Sequence, residues 1–570
     1  LDELGRAAVE ARLRGEEEGA KAARPETAIA VAHGTLDRLE TDARRVLRAA
    51  SVFGGPFMKD GVAELVGASE GLAGWLADLE RREVIKRGQG PHEYVFRHDL
   101  LREAAYATLT DDDRRLAHGL AGCFLEATGH DDAIALARHF QRGGMQERAA
   151  FWYRRSAELA LEGSDIAAVL ERVRLAVEAG AAGVELGKLG LLRAEAHKWR
   201  GENQEAEEHA LGAMELLHVG SSEWFHAAAE GAVAAGKLRH KERLDAITRA
   251  LLEADASLEL DSARIAWARA AFQLVNLGLF APADALFAHI EASGGLTDAT
   301  PRAAGYIYEA MAMRGAEVTR IRLGEKAVLA FEAAGDERNA CAQALTVGAG
   351  LLETGSYRRW LPGLRVQLAR AERLGLHNTV PIAKMQLAVV LDGLGEASLA
   401  EEAALSALAG FRAQNNRLLQ TVMLMTLAAF VHRRGDLALA EQYAREALVH
   451  GAEISWVRAQ IDATLARILF ARGASEEGLL AARSAMVALE KGGDRTVSKG
   501  LVRLVFAEAL QASGHEEEAR AALADARDRL FARAAVLDAE LRRDFLTVQP
   551  DNARTLAWAE EWLGAPAQLT

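Results

Sequence analysis

A glycine followed five residues later by a small residue, set between two apolar helical stretches, returns along most of this chain and constrains its fold more than any other feature. Gly163 with Ala168, Gly201 with Ala206, Gly278 with Ala283, Gly395 with Ala400, Gly435 with Ala440 and Gly514 with Ala519 obey the pattern. Gly236, Gly315, Gly355 and Gly473 occupy equivalent slots with a poorer match at the fifth position. Successive glycines stand about 35 to 42 residues apart, the signature of a helical repeat array. Each glycine is expected in the left-handed conformation that closes the first helix of a pair, and the small residue lets the second helix approach the first. A second small residue often follows twelve after the glycine, at Ala213, Ala407, Ala447, Ala485 and Ala526. Pairs of this kind bury one face on their neighbours, giving a superhelix with a long concave surface. The expectation is an all-α superhelical array of about ten helix pairs over residues 146–545. Connecting helices precede it at 111–145, and a helix carrying Leu556, Trp558 and Trp562, begun by Pro550-Asp551, caps it within 546–570.

The remaining composition agrees with helix. Half the 570 residues are hydrophobic, only 9 are proline, and 6% are aromatic. With 68 basic against 82 acidic residues the formal charge is −14, which opposes general attraction to nucleic acid or anionic membrane. Cys123 and Cys341 stand far apart, so neither a disulfide framework nor a CxxC pair is present, and the expected compartment is the cytoplasm. The most apolar run, Met423 to Val431, is about half the ~20 residues a membrane helix needs. The chain opens at Leu1, without methionine, in what reads as the middle of a helix, and is therefore expected to be part of a larger protein.

The character of the sequence changes around YVFRHDLLREAAY, Tyr94 to Tyr106. Before it, residues 28–110 read as a winged helix. A helix from Ala28 to Ala50 carries Leu36, Leu39, Ala43, Val46, Leu47 and Ala50 on one face, and Gly54-Gly55-Pro56 stops it. A second helix spans Met58 to Val66, and a third follows Ser69 as N-cap, with Leu72, Trp75, Leu76 and Leu79 on one buried face. Val84-Ile85, the turn GQGP and Tyr94-Val95-Phe96 then form a two-stranded hairpin, which hands over to a helix at Arg97-His98-Asp99. Asp99 suits a helix N-terminus, where an acid offsets the positive end of the dipole. The third helix carries Glu70, Asp78, Glu80 and Glu83 against Arg81 and Arg82, and the wing adds only Lys86, Arg87 and His92. That surface would repel phosphates, so direct nucleic-acid binding is disfavoured and the module is read as a packing element.

The unit GDLALAEQYAREAL, Gly435 to Leu448, resembles a tetratricopeptide repeat, with a period longer than the usual 34. PETAIAVAHGTLDRLETDARRVLRAASVFGGPF followed by YVFRHDLLREAAYATL looks like the junction after the nucleotide-binding domain in the signal-transduction ATPases with numerous domains, or STAND ATPases. That superfamily includes the MalT-like and large LuxR-type regulators and bacterial serine/threonine kinases with an ATPase and repeat tail. The ending LRRDFLTVQPDNARTLAWAEEWLG is similar to the tails of the kinase-linked members. The resemblance implies that residues 1–27 are the last helices of an ATPase module, and that ATP or ADP with magnesium belongs to that upstream domain, with no cofactor in this stretch. RHDLL resembles the MHDLL motif of related immune-receptor ATPases, whose histidine touches the β-phosphate of bound ADP and holds the closed state. His98 would carry that contact, with Arg97 in place of the methionine and Asp99 matching. The other reading of His98 is a residue that caps or packs at the strand–helix junction.

Gly231 to Leu238, GAVAAGKL, satisfies part of a phosphate-loop pattern but has Leu238 where Ser or Thr must bind magnesium, and no strand precedes it. Catalytic and zinc-spaced motifs are absent from the sequence, so no catalytic or metal residue is assigned. The 16 histidines read as helix-surface or satisfied core residues, and Trp152-Tyr153, Trp199, Trp224, Trp267 and Trp360 as packing at helix crossings. The expected function is that of a sensor and protein-interaction region. A protein, peptide or small inducer would bind the superhelix, and the winged helix would relay this to the ATPase; the alternative is a stand-alone scaffold for peptide segments. Oligomeric state stays open.

Overall fold

The computed structural model describes residues 32, 34–67, 70–315, 317–451, 455–492 and 499–564. The helix expected at residues 1–27 and the Ser69 N-cap lie outside them. The chain divides into two units, the first running to Glu162 and taking in Ala167–Leu189, the second formed by Gly190 onward with Gly163–Ile166.

The first unit begins with a correction. The helix expected as one piece to Ala50 breaks at residues 38–40 and restarts as Thr41–Ser51. The break leaves carbonyls without helical partners, and the Arg44 guanidinium donates to Leu39 O at 3.0 Å and Asp37 O at 3.4 Å. Leu36, Leu39, Val46 and Leu47 still share one core with Leu72, Leu76 and Leu79 from the Leu72–Arg81 helix. A second correction concerns Met58, expected as the start of a helix. Phe57–Met58 is instead a strand, β1, and the helix is Lys59–Val66. With β2 (Ile85–Arg87) and β3 (Glu93–Phe96) it makes a three-stranded antiparallel sheet in the order β1-β3-β2. Phe57 pairs with Tyr94 across the strands, stacks on its ring at 5.9 Å and is buried, which accounts for the extra strand. The Asp99–Ala107 helix follows, and Arg48 Nε donates to Thr108 Oγ1 at 2.8 Å, tying its end to the first helix. The helices Asp111–Ala127, Ala133–Arg142 and Gln146–Glu162 belong to the same unit.

The second unit is a tetratricopeptide-like array of antiparallel helix pairs. Its small-residue contacts are as the spacing requires: Ala206, Ala283, Ala400, Ala440 and Ala519 are fully or almost fully buried, as are Ala213, Ala407, Ala447, Ala485 and Ala526. Gly435 shows the expected closure, with φ +92° after the Arg417–Arg434 helix. Three glycines do not. At Gly163 the left-handed residue is Ser164, one position on; Gly236 is inside the Ser222–Leu238 helix, which Arg239 closes with φ +61°; Gly315 is extended on the β side, with ψ 156°. The Ala168 side chain is only half-buried, with Ile166 and Val169 taking the core positions there.

First helices of neighbouring pairs lie side by side, Ser222–Leu238 against Leu260–Leu277 and that against Pro301–Arg314. Such inner helices are buried almost all round, which their alanine-rich sequences allow. Farther along, the chain returns on itself. Leu530, Ala534, Leu537, Leu541 and Phe545 share a core with Leu345, Trp360 and Leu364, while Ser356 Oγ donates to Asp544 Oδ2 at 3.1 Å and Arg533 to Glu353 at 3.1 Å.

Glycine within the helices has opposite consequences at two sites. A Cβ on Gly348 would stand 2.3 Å from the Trp360 ring, which is buried and held by its Nε1 donating to Gln386 at 2.9 Å. Nothing lies within 4 Å of a Cβ on Gly212, inside the Asn203–Leu216 helix. Gly348→Ala is expected to destabilise the array by about 1–3 kcal/mol, and Gly212→Ala to stabilise it by about 0.5–1 kcal/mol. Urea titration of both variants checks the pair, and equal signs would refute the packing described.

Candidate functional site

The residues singled out by the sequence, Arg97, His98 and Asp99, stand together at the strand–helix junction. His98 is the N-cap of Asp99–Ala107 in extended conformation, half-buried, with its carbonyl accepting from Leu101 N at 3.1 Å. Asp99 is exposed in the first turn, and exposed Arg97 pairs with Glu83 at 3.1 Å. Three other arginines of this module are likewise engaged locally. Arg81 and Arg82 reach Asp78 at 2.9 and 2.7 Å, and Arg87 lies 3.4 Å from Glu80 and over the Tyr94 ring.

A second set of residues, which the sequence reading did not single out, lies on the inner helices of the array. Glu230, buried on Ser222–Leu238, accepts from Lys198 Nζ at 2.8 Å and from both Arg269 Nη atoms at 2.7 and 2.9 Å. Burial alone would raise its pKa, but Arg269 and Lys198 outweigh that and hold the carboxyl far below the usual range. The Arg269 guanidinium also lies 5.2 Å from the Tyr306 ring centroid. Lys198 and Arg269 thus fix one carboxylate with two cations.

Around this triad are two charged groups with no hydrogen bond or ion pair among the described residues. Lys237 comes seven residues after Glu230 on the same helix, and Glu309 lies on Pro301–Arg314. Lys237 is exposed near the end of its helix, and Glu309 is half-buried. Desolvation, helped by the Lys198 charge, lowers its pKa to about 8. Desolvation raises that of Glu309 to about 7 against the pull of Arg269, Lys237 and Lys198. His226, one turn before Glu230, is shifted down by the same desolvation. Unpaired groups of opposite sign with shifted pKa values, each acting on the other, make this stretch of the inner helices a candidate binding surface.

The segment Gly231–Leu238, read as a failed phosphate loop, is the last part of a straight helix, with no loop in it. Its Lys237 is one of the two unpaired charges on the inner helices. The available signal was a charge at every second turn, Glu230 and Lys237, inside a run of alanine. Trp199, Trp224, Trp267 and Trp360 are buried, and Trp267 Nε1 donates to Leu251 O at 3.1 Å, so these rings pack the array. Among the described residues, no helix is long and apolar enough to cross a membrane.

No protein-family model matches the chain, and no curated protein does. Among solved structures it is similar to a signal-transduction ATPase with numerous domains and a tetratricopeptide repeat sensor from Pyrococcus horikoshii. That match has 15% identity and a TM-score of 0.39, and covers 82% of this chain and 66% of the archaeal protein. The chain thus spans less than two thirds of that protein's length. It is also similar to a Rap protein complexed with competence and sporulation factor, at 14% identity and TM-score 0.39 over 66% of this chain and 97% of that one. A third is the Cut9–Hcn1 heterotetramer of the APC/C, at 14% identity and TM-score 0.39 over 78% and 93%. Likeness this slight carries no functional argument, and the conclusion rests on the residues.

Proposed function

We propose that this chain is the sensor and protein-interaction region of a multidomain bacterial signalling ATPase. A partner binds the inner face of the array, and residues 28–110, read as a winged helix, relay the event to an upstream nucleotide-binding domain through His98, with Arg97 and Asp99 beside it. What supports the binding half is the pair Lys237 and Glu309, two charges of opposite sign on inner helices of the array with no hydrogen bond or ion pair among the described residues. What supports the relay half is the position of His98, at a helix N-terminus with side-chain surface left open and basic Arg97 adjacent, which suits a phosphate oxygen. Binding energy moves the closed and open states only by its difference between them.

The test uses the full-length natural protein loaded with a fluorescent ADP analogue. His98→Ala is expected to speed ADP release by about tenfold or more, the loss of one charge-assisted hydrogen bond. Unchanged release would remove the relay and leave the array as a scaffold.

A further inference from the structure

The last helix of the array, Pro550–Leu563, is held to it by charges and by little buried apolar surface. Asp551, in its first turn, accepts from Arg467 Nη1 at 2.9 Å, and Arg554 Nε lies 2.7 Å from Glu508 Oε1. Arg467 and Glu508 come from the neighbouring inner helices Ser455–Ala471 and Lys499–Ala512, and they also pair with each other at 3.3 Å. Ala559 is the only apolar side chain of the last helix that is buried. Leu556, Trp558 and Trp562 are half-buried, the two indoles stacked at 5.2 Å and Trp562 under the Arg520 guanidinium at 4.5 Å. At the foot of the helix a cleft of about 30 Å³ opens among Glu353, Arg533, Phe545, Gln549 and Asn552, so this end is not packed solid.

These charges differ from the Lys198–Glu230–Arg269 triad in one respect. Removing Glu230 strands two cations, whereas removing the last helix leaves Arg467 and Glu508 paired with each other. Arg467, Glu508 and Asp551 keep 27%, 21% and 23% of their side-chain surface exposed, so water and a competing group reach them. Arg467 Nη2 has no hydrogen-bond partner among the described residues even with the helix in place, which leaves it capacity for another acceptor. The charges of the array are thus balanced without the last helix, and that helix covers a cation and an anion on neighbouring inner helices.

We infer that Pro550–Leu563 is an autoinhibitory contact: it covers Arg467 and Glu508, and a partner's amphipathic helix bearing an acid, a base one turn later and an aromatic residue one turn beyond the base displaces it. This rests on the proposed reading of the inner face as the binding surface, and it names the chemistry of the partner. The spacing is that of the helix now seated there, whose Asp551, Arg554 and Trp558 share one face at i, i+3 and i+7. The Ala539–Thr547 helix before it stays behind as a tether. Its Leu541 and Phe545 are buried in the core with Leu345, Trp360 and Leu364, and Ser356 holds its Asp544. A tethered helix competes at an effective concentration on the order of millimolar, so a partner must match the pattern to gain access.

The experiment titrates the full chain into a fluorescein-labelled peptide of residues Gln549–Gly564 and reads its anisotropy. The parent should bind it weakly, because its own helix competes. An Asp551→Ala/Arg554→Ala chain should bind it about tenfold more tightly, since two part-exposed ion pairs are lost on the competing side. An Arg467→Glu/Glu508→Arg chain keeps the array's own pair with its signs reversed, and should prefer a peptide carrying Asp551→Arg and Arg554→Asp over the natural one by about tenfold or more. Thermal unfolding confirms that both chains fold. No gain in binding by the Asp551→Ala/Arg554→Ala chain, or equal binding of the two peptides by the reversed chain, would overturn the inference and leave Pro550–Leu563 a fixed cap. ADP release in the His98→Ala protein does not involve this helix, so a fixed cap would leave the relay standing.

Discussion

Glu230→Ala lowers the stability of the repeat array by about 3–5 kcal/mol, because it strands two buried cations together. Lys198 and Arg269 are 7% and 9% exposed, and Glu230 supplies the carboxylate that each of them uses. Arg269 is tied to the carboxylate through two nitrogens, so it cannot turn elsewhere without leaving the Tyr306 ring. The effect spreads beyond one helix, since Lys198, Glu230 and Arg269 come from three consecutive inner helices whose stacking depends on their neighbours. Glu309→Gln gives the opposite sign: its carboxyl has no partner among the described residues, and the neutral amide removes a desolvated charge without breaking a bond. Calorimetric unfolding of both variants decides. The Glu230→Ala transition should fall by on the order of 10 °C, and the Glu309→Gln transition should hold or rise. A Glu230→Ala protein as stable as the parent would show that the triad is not formed.

These two glutamates also mark where the sequence stops being readable. The inner helices of the array are buried almost all round, so apolar periodicity, which located Leu72, Leu76 and Leu79, has no polar face to contrast with. Within such a helix nothing local distinguishes Glu230, which is paired, from Glu309, which is not, because the partners stand on other helices. The repeat glycines were legible as far as each one was needed for a left-handed turn. At Gly236 a longer helix placed that turn on Arg239, and tertiary packing overrode the spacing. Met58 reads as a helix start because two residues are too few to show strand alternation; the buried stack of Phe57 on Tyr94 accounts for β1. His98 was found because a junction between strand and helix is a local property, whereas its ligand is not.

Acid is expected to unfasten the first unit at a place the sequence treated as ordinary core. His118 and His139, 1% and 7% exposed, meet Nδ1 to Nδ1 at 3.1 Å, and Tyr106 Oη lies 2.8 Å from His118 Nε2. Neutral rings satisfy this chain in either direction, one nitrogen donating to the next; two charged rings would set N–H against N–H. Desolvation, with the charges of His139 and Arg142, lowers the His118 pKa to about 3, and desolvation with Arg142 and His130 lowers His139 to about 4. The folded values lie below the unfolded one near 6.5, so the unfolded chain binds more protons as pH falls. The stabilisation is complete above pH 6.5 and is lost below it, at about 1.4 kcal/mol per pH unit for each histidine, or roughly 4 kcal/mol for the two together at pH 5. Tyr106 sits on the helix that begins after His98, so the pair holds that helix to Asp111–Ala127 and Ala133–Arg142. Loosening it frees the segment that the proposed relay would require to be rigid. Imidazole proton shifts followed from pH 8 to 4 should stay flat for both residues above pH 5, and the stability difference between the parent and a His118→Leu/His139→Leu protein should narrow as pH falls from 6.5. Titration of either ring near 6.5 would mean that the two histidines are not buried against each other and that the Asp99–Ala107 helix is held by its apolar side alone.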